Sequence, residues 1–408
     1  MRILMLSWEY PPKIVGGIAR HVEEIAWALA AQGDEVHVVT CEFPGAPAEE
    51  TYRGVHVHRV APYTPTDNFV HWVHQLNAAM HDRAEALLRE WTAGPKPLKS
   101  LPERQHIILH AHDWLAQFSS VALKHRFRVP LVATIHATEL GRNSGIHTDG
   151  QRYIHSVEWS LTYEAWRVIV CSAFMRDEVT YAFSTPDDKV DVIPNGVHAD
   201  KFAFDFTPEE AAKFRAAYAA PEERIVLFVG RMVREKGAHL LVEALPKVRA
   251  QCHGVKLVIA GGGYRAHLED LARSLGMERH VYFTGFIPDD ALLRLYKVVD
   301  VACYPSLYEP FGIVALEAMA AGVPVVVSDA GGLREIVEHD VTGTVSWLNN
   351  SDSLAWAIVR VLRRPELANA MARDASLRVR EVFNWDRIAA RTRGVYARVW
   401  EEYCRSDW

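Results

Sequence analysis

Short apolar runs alternate with longer amphipathic segments almost from end to end of this chain, and the alternation starts over once, near the middle. Residues 3–7, 35–40, 55–60, 106–110, 131–135, 168–171 and 190–193 read as strands. Several are continuous Val/Ile/Leu runs, which suit parallel strands covered on both faces. Between them, residues 18–31, 69–88, 114–126, 154–166 and 174–183 carry apolar side chains at helical spacing. Alternation of this kind predicts a doubly wound α/β layer. The pattern restarts with strands at 224–229, 255–260, 281–284, 301–304, 324–327 and 343–345. Between the two sets lies Ile193-Pro194-Asn195-Gly196, whose proline and Asn-Gly interrupt any regular element. The expected architecture is two Rossmann-like α/β domains, 1–195 and 196–384, facing a cleft. Residues 385–408 form a charged, aromatic helix that no strand follows.

Length and charge agree with that division. A chain of 408 residues exceeds the ~250–300 at which single cores stop growing. Net charge is 45 − 51 = −6 with no lysine- or arginine-rich block, which argues against a nucleic-acid groove. The five cysteines are widely separated and lack a CxxC pair, so they read as reduced thiols of a cytoplasmic protein. The opening MRILMLSWEYPP has too short an apolar run for a signal peptide. No stretch approaches the ~18–20 apolar residues that span a bilayer.

In open α/β sheets ligands bind beyond the carboxyl ends of the strands, so the chemistry is sought in those loops. After the first strand comes a loop ending in Gly16-Gly17 at the start of a helix. Paired glycines there admit an anion to free backbone N–H groups, or merely supply a turn. The dinucleotide fingerprint G-x-G-x-x-G is absent from it. Gly261-Gly262-Gly263 reads as a structural turn. The second set opens with Gly230-Arg231-Met232-Val233-Arg234-Glu235-Lys236-Gly237, which brings Arg231 and Lys236 to one loop before a helix. Two cations beside a helix N-terminus suit a diphosphate. Farther on, Glu309 lies in a loop after a strand, and Phe311-Gly312-Ile313 opens the next helix with free amides. Glu317 sits on that otherwise apolar helix, where a carboxylate needs hydrogen-bonding partners such as ribose hydroxyls, an ion pair or a helix cap.

The spacing Glu309-Pro310-Phe311-Gly312…Glu317, with Gly230-Arg231…Glu235-Lys236-Gly237, resembles the retaining glycosyltransferases of family 4. The opening loop with Pro11-Pro12 and Gly16-Gly17, His110-Ala111-His112-Asp113-Trp114, Pro194-Asn195-Gly196 and the terminal aromatic helix fit the same pattern. Ser7-Trp8-Glu9-Tyr10-Pro11-Pro12, His112-Asp113-Trp114 and Thr134-Ile135-His136-Ala137-Thr138-Glu139 look most like the bacterial glycogen-synthase-like members that make α-1,4-glucans.

The resemblance implies a GT-B fold, with the nucleotide-sugar donor (UDP- or ADP-glucose) on the second domain, the acceptor on the first, and the last helix returning to the first. It implies that Arg231 and Lys236 hold the diphosphate, Glu317 the ribose, and Glu309 the sugar hydroxyls. The amides of Phe311, Gly312 and Ile313 would touch sugar and phosphate, Gly16 and Gly17 the diphosphate, and Phe286 and Ile287 the base. His136 corresponds to a histidine near the reacting centre. Tyr10, Asp113, Trp114 and Arg142 are acceptor candidates. The chain has no D-x-D motif, so neither metal nor other cofactor is expected. His110, His112 and Asp113 match no standard zinc spacing. The implied reaction is same-face substitution with retention, and a homo-oligomer is compatible with it. Transfer to a small acceptor such as a sugar phosphate, by a mannosyl- or glucosyltransferase, and nucleotide-sugar epimerisation are the competing readings.

Overall fold

The computed structural model describes residues 1–94 and 96–408. They divide into two compact units, Met1–Asn195 with Trp385–Trp408, and Gly196–Asn384.

The first unit is built on β1 (Arg2–Leu6), β2 (Glu35–Cys41), β3 (Glu49–Tyr52), β4 (Val55–Val60), β5 (Ile107–His112), β6 (Leu131–Ile135), β7 (Arg167–Val170) and β8 (Val190–Val192). They lie in the order β3-β4-β2-β1-β5-β6-β7-β8. All pairs are parallel except β3–β4. Every residue of β5 and β6 is buried, as expected for strands covered on both faces. The sequence reading does not find β3. Glu-Glu-Thr-Tyr has no apolar run, and it pairs only because Arg53 and Gly54, both at positive φ, turn the chain back onto β4.

The final helix, Trp385–Arg405, buries Trp385, Ile388, Ala389, Thr392, Val395, Tyr396, Val399, Trp400 and Tyr403. Steps of three and four place these on one stripe. That stripe joins the core of the first unit with Val22, Ile25 and Leu29 of the helix Gly17–Ala31. Its Tyr396 hydroxyl also meets His110 Nδ1 of β5 at 2.7 Å.

The second unit contains β9 (Arg224–Val229), β10 (Val255–Ala260), β11 (Val281–Gly285), β12 (Val301–Tyr304), β13 (Val325–Ser328) and β14 (Thr344–Ser346). The sheet runs β11-β10-β9-β12-β13-β14 and is parallel throughout. The α/β expectation therefore holds in both units. In each, the strand order reverses beside the first strand: between β1 and β5 in one, between β9 and β12 in the other. Loops leaving two neighbouring strands part in opposite directions there, and a crevice opens outside their carboxyl ends.

Candidate functional site

In the second unit the reversal point brings together residues 230–237, after β9, and residues 305–312, after β12. The two loops touch through backbone. Leu307 N–H donates to the Glu235 carbonyl at 2.7 Å. Gly237 adopts φ +71°, and a Cβ there would lie 1.9 Å from the Pro305 carbonyl oxygen. Only glycine permits both that conformation and that approach. Across this junction Lys236 Nζ pairs with Glu309 Oε2 at 2.8 Å, and the Ser306 hydroxyl donates to the same oxygen at 3.0 Å. Glu309 is buried. Arg231 is half exposed, with Glu235 its neighbour at 3.6 Å. The sequence therefore placed Lys236 and Glu309 in one site, but did not show that the lysine already has a carboxylate partner.

Gly312 caps the helix Ile313–Ala320 at φ 111°, and a Cβ there would press on Leu333 at 2.6 Å. No acceptor among the described residues takes the backbone N–H of Phe311, Gly312 or Ile313. Three unspent donors thus stand next to the residues flanking Glu309, at the positive end of a helix. One turn on, Glu317 accepts from the Tyr296 hydroxyl at 3.3 Å, and Tyr296 meets Tyr304 at 3.3 Å. This tyrosine pair is the polar support that the apolar helix lacks by itself. Phe286, after β11, is 75% exposed, with Ile287 half-buried beside it. Gly261 and Gly263 sit against Gly230 and Met232, which makes the triple glycine a packing turn.

In the first unit, His110 and His112 project from the same face of β5 because side chains on a strand alternate. His112 Nδ1 lies 3.2 Å from Nε2 of His136, which follows β6. His21, in the helix Gly17–Ala31, packs its ring 4.7 Å from that of His136. Asn195 Oδ1 accepts from His21 Nδ1 at 2.6 Å. Burial, reinforced by neighbouring cationic and imidazole groups, holds His21, His110 and His112 well below the ordinary histidine range and His136 at about 3. All four are neutral at pH 7.

Asp113 is the strained member of this unit. Its backbone sits at φ 59°, ψ 173°, a region nearly reserved for glycine and costing on the order of 1–3 kcal/mol. The strain turns its carboxyl under the next strand's loop, where Oδ1 accepts from His136 N–H at 2.7 Å. Its Oδ2 has no hydrogen-bond partner among the described residues; Arg142 stands 3.5 Å away. Burial lifts this carboxyl to about 6, with Arg142 and the loop amides opposing. Glu158 is a further buried acid, raised to about 8 by desolvation although Glu139 N–H donates to it. Sequence reasoning missed Glu158, since no motif surrounds it.

Three candidates are placed differently from expectation. Tyr10 and Trp114 are 4% and 3% exposed and pack into hydrophobic clusters, so neither presents a face on which a sugar could stack. The Gly16 amide is spoken for: Glu9 Oε2 accepts from Val15 N–H at 2.6 Å and Gly16 N–H at 3.0 Å. An internal carboxylate stands where the glycine loop was expected to meet a phosphate. Glu9, two residues after Ser7, was legible as an acid but not as the group that organises this loop.

Known proteins supply the family. Residues 15–201 match "Glycosyltransferase Family 4" and residues 210–378 match "Glycosyl transferases group 1". The chain is 42% identical to an uncharacterized glycosyltransferase of Methanocaldococcus jannaschii over 97% of this chain and 98% of that one. It is 39% identical to a glycogen synthase of Mycobacterium tuberculosis over 97% and 94%. Among solved structures, a sucrose-phosphate synthase of Thermosynechococcus elongatus superposes with TM-score 0.79 at 26% identity, covering 98% of this chain and 99% of the other. The protein is therefore a glycosyltransferase of the GT-B fold, belonging to the family 4 enzymes that join these two modules.

Proposed function

We propose that the protein transfers glucose from UDP- or ADP-glucose to an α-glucan, with retention and without a metal. The observation that carries this reading is the convergence at the β9/β12 reversal of Arg231, Lys236, Glu309 and three unspent amides. Cleaving a sugar–phosphate bond builds negative charge on the departing diphosphate. Fixed cations and N–H donors aimed at that charge lower the barrier without reorganising. They supply what a divalent ion supplies elsewhere. Glu309, held by Lys236 and Ser306, positions the sugar hydroxyls and does not attack. Glu317 and its tyrosines take the ribose, and Phe286 and Ile287 flank the base.

In the first unit, Oδ2 of Asp113, which faces Arg142 but takes no hydrogen bond among the described residues, offers an acceptor for a sugar hydroxyl. Neutral His136 is assigned to the reacting sugar and can hydrogen-bond it without adding charge. The acceptor's proton passes to a donor phosphate oxygen as the new bond forms on the face the diphosphate leaves. The likeness to a glycogen synthase supports a glucan acceptor. The likeness to a sucrose-phosphate synthase keeps a small sugar-phosphate acceptor as the second reading. No helix among the described residues is long and apolar enough to cross a membrane, and all five cysteines are free; we place the enzyme in the cytoplasm.

The test is product analysis. With maltooligosaccharides and either nucleotide glucose, in EDTA, the enzyme is expected to lengthen the chains by α-1,4-linked glucose. Extension of fructose 6-phosphate or another sugar phosphate alone would select the second reading, and activity lost in EDTA but restored by magnesium would overturn the metal-free mechanism.

A further inference from the structure

The histidines of the first unit do more than the transfer reaction asks of them. His136 alone is assigned to the reacting sugar, yet His21 and His112 place nitrogen atoms beside it. One ligand nitrogen from each of the three lies within 4.8 Å of the other two. The His112 Nδ1–His136 Nε2 separation, 3.2 Å, is already that of two ligands on one tetrahedral ion. Bonds of about 2.0–2.1 Å at the tetrahedral angle put nitrogen atoms about 3.3 Å apart.

One further observation favours an ion. The Nδ1–H of His21 is fixed by Asn195 Oδ1, which leaves Nε2 with its lone pair. A hydrogen bond from the far nitrogen to a carbonyl-type oxygen is how proteins orient a metal-binding imidazole. The adjacent carboxylate is engaged elsewhere: Asp113 Oδ1 is on the His136 amide and Oδ2 faces Arg142 at 3.5 Å. The donor set is thus all imidazole, which suits zinc, copper or nickel and not magnesium or calcium.

We propose that His21, His112 and His136 bind one late first-row transition-metal ion such as Zn²⁺, and that the ion so held blocks glycosyl transfer. Loading requires the His21 nitrogen to close on the other two from within 4.8 Å to about 3.3 Å. The proton shared between His112 and His136 moves to the far nitrogen of the ring that carried it. Each ring stays neutral, so no net proton is released. Through His136 the ion places positive charge beside the sugar carbon, which itself turns positive as the diphosphate leaves. The blocking half of the proposal rests on the transferase reading; the binding half does not.

Cobalt tests the two halves separately. Titrating the full-length protein with Co²⁺ is expected to give an intense visible band of four-coordinate cobalt, saturating at one equivalent and displaced by Zn²⁺. The band should vanish in His112→Ala and in His136→Ala, the latter ring being partly buried and outside the hydrophobic clusters. It should persist in His81→Ala, which dismantles the other metal-capable grouping among the described residues, His81, Asp82 and Glu85. Zn²⁺ should suppress transfer in wild type and in His81→Ala alike, with EDTA restoring it. No band, or a band lost in His81→Ala and kept in His136→Ala, overturns the site. A saturated site with undiminished transfer overturns the blocking role, and absence of transfer from every donor with the band intact counts against the transferase reading alone.

Discussion

Arg231→Ala is expected to lower kcat on the order of 10²-fold or more, the size typical of removing one donor to developing charge, while the melting temperature stays where it is. The side chain is half exposed and its Glu235 partner is 3.6 Å away. A surface contact of that kind contributes roughly 0–1 kcal/mol, so lost activity cannot be lost fold. Lys236→Ala should fall at least as far in kcat but also lose some stability. It leaves buried Glu309 with Ser306 alone, and stripping a partner from a buried group costs about 1–3 kcal/mol. Glu317→Ala should act differently, raising donor KM with kcat little changed, because binding the ribose stabilises ground and transition states alike. Steady-state kinetics with the preferred nucleotide glucose separates these outcomes. Near-normal turnover in Arg231→Ala and Lys236→Ala would remove both from the diphosphate.

Acid should unfold the first unit unusually early. His21, His110, His112 and His136 all have depressed proton affinity in the fold, so the unfolded chain takes up protons that the native one refuses. Stability from such groups is complete above about pH 6.5 and drains away as pH falls below it. Asp113 and Glu158 work in the opposite sense. Their raised values mean that the native state holds protons the unfolded state has lost, so acidification stabilises through them. Near pH 5 these histidines, joined by His37, which burial also holds at about 3, outnumber the two acids, so unfolding takes up protons and stability falls with pH. Above pH 7 the histidines fall silent and the cost of ionising Glu158 grows until about pH 8. Stability is expected to peak near pH 7. Calorimetric melting from pH 5 to 9 checks this, and Glu158→Gln should flatten the alkaline side and steepen the acid side. A melting temperature that holds or rises from pH 7 to 5 would contradict the buried neutral cluster.

The strands of both sheets were legible because parallel strands covered on two faces must be continuously apolar, and 255–260 or 131–135 can hardly be anything else. The polar edge strand β3 was not, since its pairing is dictated by the Arg53-Gly54 turn and not by its own side chains. The same division runs through the candidate sites. Lys236 and Glu309 could be named because each lies in a loop at a strand's carboxyl end, within a spacing that the family shares. The histidine grouping arises from tertiary placement: residues 21, 112 and 136 are brought together by one helix and two strands. Tyr10 and Trp114 show the limit of residue type as a guide, since an aromatic ring serves a core as well as a sugar, and only burial tells which. The capture of the Gly16 amide by Glu9 likewise depends on a loop path that no spacing reveals.

The central claim is that the donor's diphosphate is gripped by the loops after β9 and β12 of the second unit. A crystal structure with UDP or ADP tests it most directly. The phosphates should lie within hydrogen-bonding distance of Arg231, Lys236 and the amides of Phe311 to Ile313, with the ribose on Glu317. A nucleotide bound tightly elsewhere, with these groups untouched, would contradict the account.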